Sequence, residues 1–175
     1  WPLPVSQPAD IINCSHGSPG LALSGLMNDT LNHISAHGRS GKGAIVIYSA
    51  GNESRLITGR MTWAAHSKTL AISNSMPPPP WDPIPDKEIK ALNSNYGPEI
   101  DICAQGEDSP SLNRTGVTTF GGTSAAAPTV AAAAALVLSV NPALTGIQVC
   151  QKLRDSADRI DTTRTTGTGA WVSGF

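Results

Sequence analysis

The residue best placed to do chemistry is Ser124, within Gly121-Gly122-Thr123-Ser124-Ala125-Ala126-Ala127-Pro128. This stretch runs into an alanine-rich segment that reaches Val140 and has the highest helix propensity available. Two glycines allow a tight turn and close approach to a ligand, and Thr123 has the side chain of a helix N-cap. A hydroxyl at such a helix start lies beside unpaired backbone N–H groups and the positive end of the helix dipole, where developing negative charge is stabilised. That suits a nucleophile. The same residues equally suit a capping device on a core helix, apolar all round and therefore expected to be buried on every side.

The elements that must position Ser124 follow from patterning. Asp10–Cys14 is a short apolar run bounded by Pro8 and by Ser15-His16-Gly17-Ser18-Pro19-Gly20, and so reads as a strand ending in a loop. Leucine and isoleucine spacing from Leu21 to Ile34 predicts a helix over about residues 20–37, stopped by Gly38. Ala44–Tyr48 is a β-branched run typical of a parallel strand covered on both faces. Strand, helix and strand at this distance make a βαβ unit, with a right-handed crossover expected, and hence an α/β domain. Further strands are expected at Thr69–Ser73 and Glu99–Ala104, with a turn at Ser94-Asn95-Tyr96-Gly97-Pro98. Six prolines between Pro77 and Pro85 forbid helix or central strand, so that segment reads as an extended surface excursion over about 76–86. Residues 105–117 read as polar and irregular. A last helix is expected with Thr145 as cap, Ile147, Val149, Cys150 and Leu153 facing inward, and Lys152, Arg154 and Asp155 outside.

Composition narrows the classes. The chain has 175 residues, 39% hydrophobic and 14% charged, with a net charge of −1, enough for one domain with a real core. A near-zero charge gives nucleic-acid binding little electrostatic support. Thr129 and Ser139 interrupt the alanine-rich helix, so no membrane span is expected. Cys14, Cys103 and Cys150 match no zinc or redox spacing and read as small core residues. The chain starts at Trp1 without a methionine or a signal-peptide pattern, and so reads as part of something longer.

Several segments, in order, resemble the subtilisin-like serine peptidases, or subtilases. Gly122-Thr123-Ser124-Ala125-Ala126-Ala127-Pro128 matches the family's Gly-Thr-Ser-x-Ala-x-Pro nucleophile motif, and Ser49-Ala50-Gly51-Asn52 resembles its oxyanion segment. Asn13-Cys14-Ser15-His16-Gly17 is similar to the Ser-x-Gly segment that pairs with substrate backbone. The Gly41-Lys42-Gly43 approach, Gly121-Gly122 and the triple alanine lean toward the kexin-like branch. Fold and roles follow from the resemblance: a three-layer α/β sandwich with a mainly parallel sheet, incomplete at both ends; Ser124 as nucleophile; and Asn52 as oxyanion donor. An extended peptide or protein substrate would lie along Ser15, Gly17, Ala50, Gly51 and Thr123. Without the family, Asn52 reads as a turn residue, and Thr123 as a cap as readily as a support for the oxyanion hole. Glu53 could sit near the base of a specificity pocket or simply be a solvated loop carboxylate. No acidic residue follows Ser-x-Gly through Ala22, which argues against strict dibasic specificity.

A serine nucleophile needs a general base and a group to orient it, and this chain has neither the Asp-Thr/Ser-Gly nor the His-Gly-Thr motif of the family. His16, His33, His37 and His66 all lack the context of that base. The expectation is therefore the C-terminal part of a subtilase catalytic domain, nearly inactive alone, its partner being the N-terminal part in cis or on a second chain. The alternative is a pseudopeptidase that holds extended peptides without cutting them. The resemblance further implies a secreted or extracellular protein and allows calcium as a stabiliser, with no ligand cluster legible; no cofactor is otherwise expected.

Overall fold

The computed structural model describes residues 9–16, 23–57, 63–78, 80 and 88–160. Its centre is a sheet with β1 (Ile11–Cys14), β2 (Ile45–Ser49), β3 (Leu70–Met76) and β5 (Ile102–Gln105) side by side and parallel. Ile12 is in register with Val46, Ile47 with Leu70, and Ile72 with Ile102. A two-residue β4 (Ile89–Lys90) runs antiparallel against the far end of β3. The remaining strands, β6 (Ser109–Asn113) and β7 (Gly116–Phe120), form a separate hairpin.

Alternation along β2 explains why both faces are covered. Ile45 and Ile47 point to one side, where they pack with Leu70 and Ile72 against Ala126, Val130, Ala134 and Leu138 of α2 (Thr123–Val140) and Val149 of α3 (Gly146–Ser156). Val46 and Tyr48 point to the other, against Leu31 and partly buried Met27 and Ile34 of α1 (Gly25–Gly41). The strands are therefore apolar throughout, as parallel strands between two helical layers must be. Alanines on the inner face of α2 leave no bulk to hold the helix off the sheet; Ala126, Ala127 and Ala134 are wholly buried.

Several expectations need correcting. The α1 helix begins at Gly25, where the Ser24 hydroxyl accepts from the Met27 N–H; residues 20–22 lie outside the described residues. Gly38 does end its helical geometry, since Gly38, Arg39 and Ser40 leave helical φ/ψ. Residues 105–117 are not irregular: they carry β6 and β7, closed where the Asn113 Oδ1 accepts from Thr115 N–H. The α2 helix is not buried all round, because Leu136 is 69% and Val140 87% exposed. Nor do Thr129 and Ser139 interrupt it: α2 is long and apolar enough to cross a membrane by length and composition, although here its inner face packs on the sheet. On α3, Ile147 points outward rather than inward, and Arg154 is drawn in by Asp101, whose Oδ1 accepts from its Nε at 2.8 Å. Most of the proline-rich segment, Pro79 and residues 81–87, lies outside the described residues. Thr145 does cap α3, in a reciprocal capping box with Gln148.

Candidate active site

The site forms where the C-terminal ends of the parallel strands meet the N-terminus of α2. Ser15 follows β1 and the Ala50–Asn52 loop follows β2. In open α/β sheets ligands bind beyond the carboxyl ends of the strands, and here a helix start faces that edge.

Ser124 is the second residue of α2 and is half-buried. Its hydroxyl donates to the Ser15 carbonyl at 3.0 Å, which brings the ends of β1 and α2 together across 109 residues. No histidine bonds to Ser124 among the described residues. His16 packs its ring edge-on against Trp63 (5.5 Å) and Tyr48 (5.9 Å). Burial pushes the Tyr48 hydroxyl far up, with Cys14 adding to the shift. His33 and His37 pair with each other on α1, and His66 bonds Asn28.

The cap of α2 is not Thr123. Gly122 occupies that position with φ 77° and ψ −170°, and no side chain caps the helix. The Thr123 hydroxyl is engaged elsewhere: it accepts from the Gly51 N–H at 3.1 Å and donates to Asn52 Oδ1 at 3.0 Å. The Thr123 N–H donates to the same oxygen at 2.9 Å. Two donors on one amide oxygen fix which way the Asn52 side chain faces, because Nδ2 could accept from neither. Nδ2 is left as a donor without a partner among the described residues.

A second free donor lies beside it. The Ala125 and Ala126 N–H groups both reach the Gly122 carbonyl, while the Ser124 N–H has no acceptor among the described residues. Gly122 leaves room for the Asn52 amide at this helix start. A Cβ there would lie 2.9 Å from both amide atoms of Asn52, and a non-glycine residue would be strained at this φ and ψ.

Asn95, placed in a turn by its neighbours' types, turns out to organise the loop that carries Asn52. It is 2% exposed and bonds residues on both sides of Asn52. Its one sequence signal was an Asx residue in a Gly-Pro-flanked turn, which says nothing of a partner 40 residues away. Glu53 accepts from Asn95 Nδ2 at 2.6 Å and lies 3.6 Å from Arg55 Nε, so its carboxylate is held over its own loop. Gly17 lies outside the described residues, whereas Ala50 and Gly51 are buried in the loop. No group of three or more His, Cys, Asp or Glu suited to a metal ion occurs among the described residues.

An α/β sandwich whose strand ends present a serine at a helix start and an oriented asparagine is the architecture of the subtilisin-like enzymes. Residues 3–171 match the profile of the Subtilase family, to which this chain belongs. It is 31% identical over 176 residues to an "Extracellular protease" of Xanthomonas campestris pv. campestris, covering 95% of this chain and 28% of that protein. It is 27% identical over 194 residues to a "Calcium-dependent protease" of Trichormus variabilis, covering 87% and 28%. Among solved structures, one of the proteases from Pseudoalteromonas arctica PAMC 21717 superposes with a TM-score of 0.72 at 24% identity, covering 95% of this chain and 50% of that one. The chain thus spans under a third of the length of these two curated relatives and half of that structure.

Proposed function

We propose that these residues form the nucleophile and oxyanion part of a serine endopeptidase. The Ser124 Oγ adds to a scissile carbonyl, and its proton passes to a general base contributed from outside these 175 residues. The C–N bond then breaks, the amine leaves with that proton, and water hydrolyses the Ser124 ester to regenerate the hydroxyl. The transition-state oxyanion accepts from Asn52 Nδ2 and the Ser124 N–H. One observation carries the reading: Thr123 holds Asn52 Oδ1 with two donors, leaving Nδ2 free beside a free Ser124 N–H. Such orientation costs hydrogen bonds that a helix cap alone would not require.

An extended peptide would lie along Ser15, Gly17, Ala50 and Gly51, with Thr123 beneath it. The kexin-like features are the glycines and alanines around residues 41–43 and 121–127, and the Glu53 carboxylate beside Asn52 is already engaged by Asn95 and Arg55, which leaves it poorly placed to select a dibasic substrate. Secretion is supported by the extracellular relative, and calcium as a structural stabiliser by the calcium-dependent one. Without its base the segment alone should retain only the residual catalysis of binding and oxyanion stabilisation, about 10³–10⁴ over water.

A fluorophosphonate probe applied to the protein together with its general base should label Ser124, and Ser124→Ala should abolish labelling. A folded, peptide-binding protein that never labels would refute catalysis and establish a pseudopeptidase.

A further inference from the structure

We propose that Asn95 is a positioning residue that sets the Asn52 amide for the oxyanion, an inference that rests on the serine-peptidase reading above. The Ala50–Arg55 loop has no regular secondary structure of its own, and Asn52 at its tip is exposed. A donor must be held to well under an ångström to be useful in catalysis, so the loop needs an external frame.

Asn95 supplies one from a single buried side chain and its own backbone. Its Nδ2 donates to the Ala50 carbonyl at 2.8 Å, and its backbone N–H donates to the Gly51 carbonyl at 2.9 Å. Its Oδ1 accepts from the N–H groups of Glu53 and Arg55, both at 3.1 Å. The two residues before Asn52 and the residues after it at 53 and 55 are thus tied to one residue, Gly51 through the Asn95 backbone N–H and the other three through its side-chain amide. Nδ2 also holds the Glu53 carboxylate. All four amide bonding directions are used, which fixes the amide's orientation. Gly51 makes the approach possible: at φ 100°, a Cβ there would lie 2.5 Å from Asn95 Nδ2.

Thr123 grips the same loop from the α2 side through the Gly51 N–H. Asn52 therefore sits between two clamps, one on α2 and one on the Ala91–Tyr96 segment, whose further bonds to the loop run from Ser54 N–H to Asn93 O and from Tyr96 N–H to Arg55 O. Asn95 makes no hydrogen bond to Asn52 Nδ2 or to Ser124 among the described residues, so its influence passes through the loop backbone.

The test is a double-mutant cycle on the full active protein, with peptide hydrolysis and fluorophosphonate labelling as readouts. Asn95→Ala should lower kcat about 10- to 100-fold with KM within about twofold, and should cost less than threefold more in an Asn52→Ala background, where nothing remains to be positioned. Asn95→Asp keeps the shape and the acceptor but loses the donor to Ala50 O. It should lower kcat with KM held, and its rate relative to wild type should recover as pH falls and the new carboxyl gains a proton. It serves in the cycle if Asn95→Ala does not fold. A kcat within threefold of wild type, or losses that multiply in the cycle, would overturn the role of Asn95 while leaving the peptidase reading intact. A wild-type protein that neither labels nor hydrolyses would overturn the peptidase reading and this one with it.

Discussion

Replacing one of two adjacent glycines should silence the site, and replacing the other should not. At Gly122 the backbone has φ 77° and ψ −170°, a region only glycine occupies comfortably. Forcing alanine there costs about 1–3 kcal/mol of stability. The added Cβ would also stand 2.9 Å from Asn52 Nδ2 and Oδ1 and 3.1 Å from its Cγ. Ordinary contact needs roughly 3.5–4.0 Å, so the asparagine must retreat by about 0.5–1 Å. A displacement of that size costs about 10²-fold. The ceiling is complete loss of the donor, about 10²–10³-fold, a value measured for the oxyanion asparagine of subtilisin itself and borrowed here. Gly121→Ala supplies the control, since its Cβ meets nothing closer than the Gly106 carbonyl at 3.5 Å and Glu107 Oε2 at 3.6 Å. Steady-state hydrolysis of a peptide anilide by the full protein, with thermal unfolding alongside, reads both effects. A Gly122→Ala enzyme with kcat within threefold of wild type, or a Gly121→Ala enzyme equally damaged, would refute this role for Gly122.

Two further predictions concern buried titratable groups. Burial raises the Asp101 carboxyl above its ordinary value, while the Ala71 N–H and Arg154 pull it back down. A raised folded-state value means that ionised Asp101 costs stability at neutral pH, a cost that vanishes as pH falls through that value. Arg154→Met removes one of the two opposing influences, so it should destabilise by about 1–3 kcal/mol near pH 7 and by progressively less toward pH 4; thermal unfolding across that range would contradict this if the loss were flat or grew in acid. The Cys103 thiol is pushed up to about 11, chiefly by burial, which leaves roughly one part in 10³ as thiolate at pH 8. Iodoacetamide should therefore spare Cys103 in the native protein and modify it in denaturant, and equal rates in the two conditions would contradict the burial argument.

What the sequence made legible was local. The capping box of α3 needs only Thr145 and Gln148, three residues apart, and the strand-helix-strand order of β1, α1 and β2 is written in apolar runs. Where a residue's partner lay far away, its type misled. Thr123 has a capping side chain, but Asn52 and Gly51, 71 and 72 positions earlier, claim its hydroxyl. Arg154 reads as a solvated face until Asp101, 53 residues back, draws it inward. The hairpin of β6 and β7 escaped notice because it has no buried face to impose alternation: Leu112 and Val117 lie opposite each other and both are about four-fifths exposed.

The same distinction separates the two halves of the site. Ser124 was visible because glycine, threonine and alanine around it encode the turn and the helix in one continuous run. Asn52 was visible only through family resemblance, since an asparagine after a strand is ordinary. Its distinction comes from the closure of two segments on one amide-bearing loop: at the α2 start Thr123 fixes the side chain and Gly122 makes room, and on the Ala91–Tyr96 segment Asn95 fixes the backbone. Thr123 and Asn95 act through bonds spanning 40 residues or more. Ser124, for its part, donates a hydrogen bond to the Ser15 carbonyl, from which, in the proposed mechanism, a general base must draw the hydroxyl before attack. In the proposed mechanism the oxyanion side is therefore preorganised within these residues, whereas the nucleophile stays latent until a base arrives.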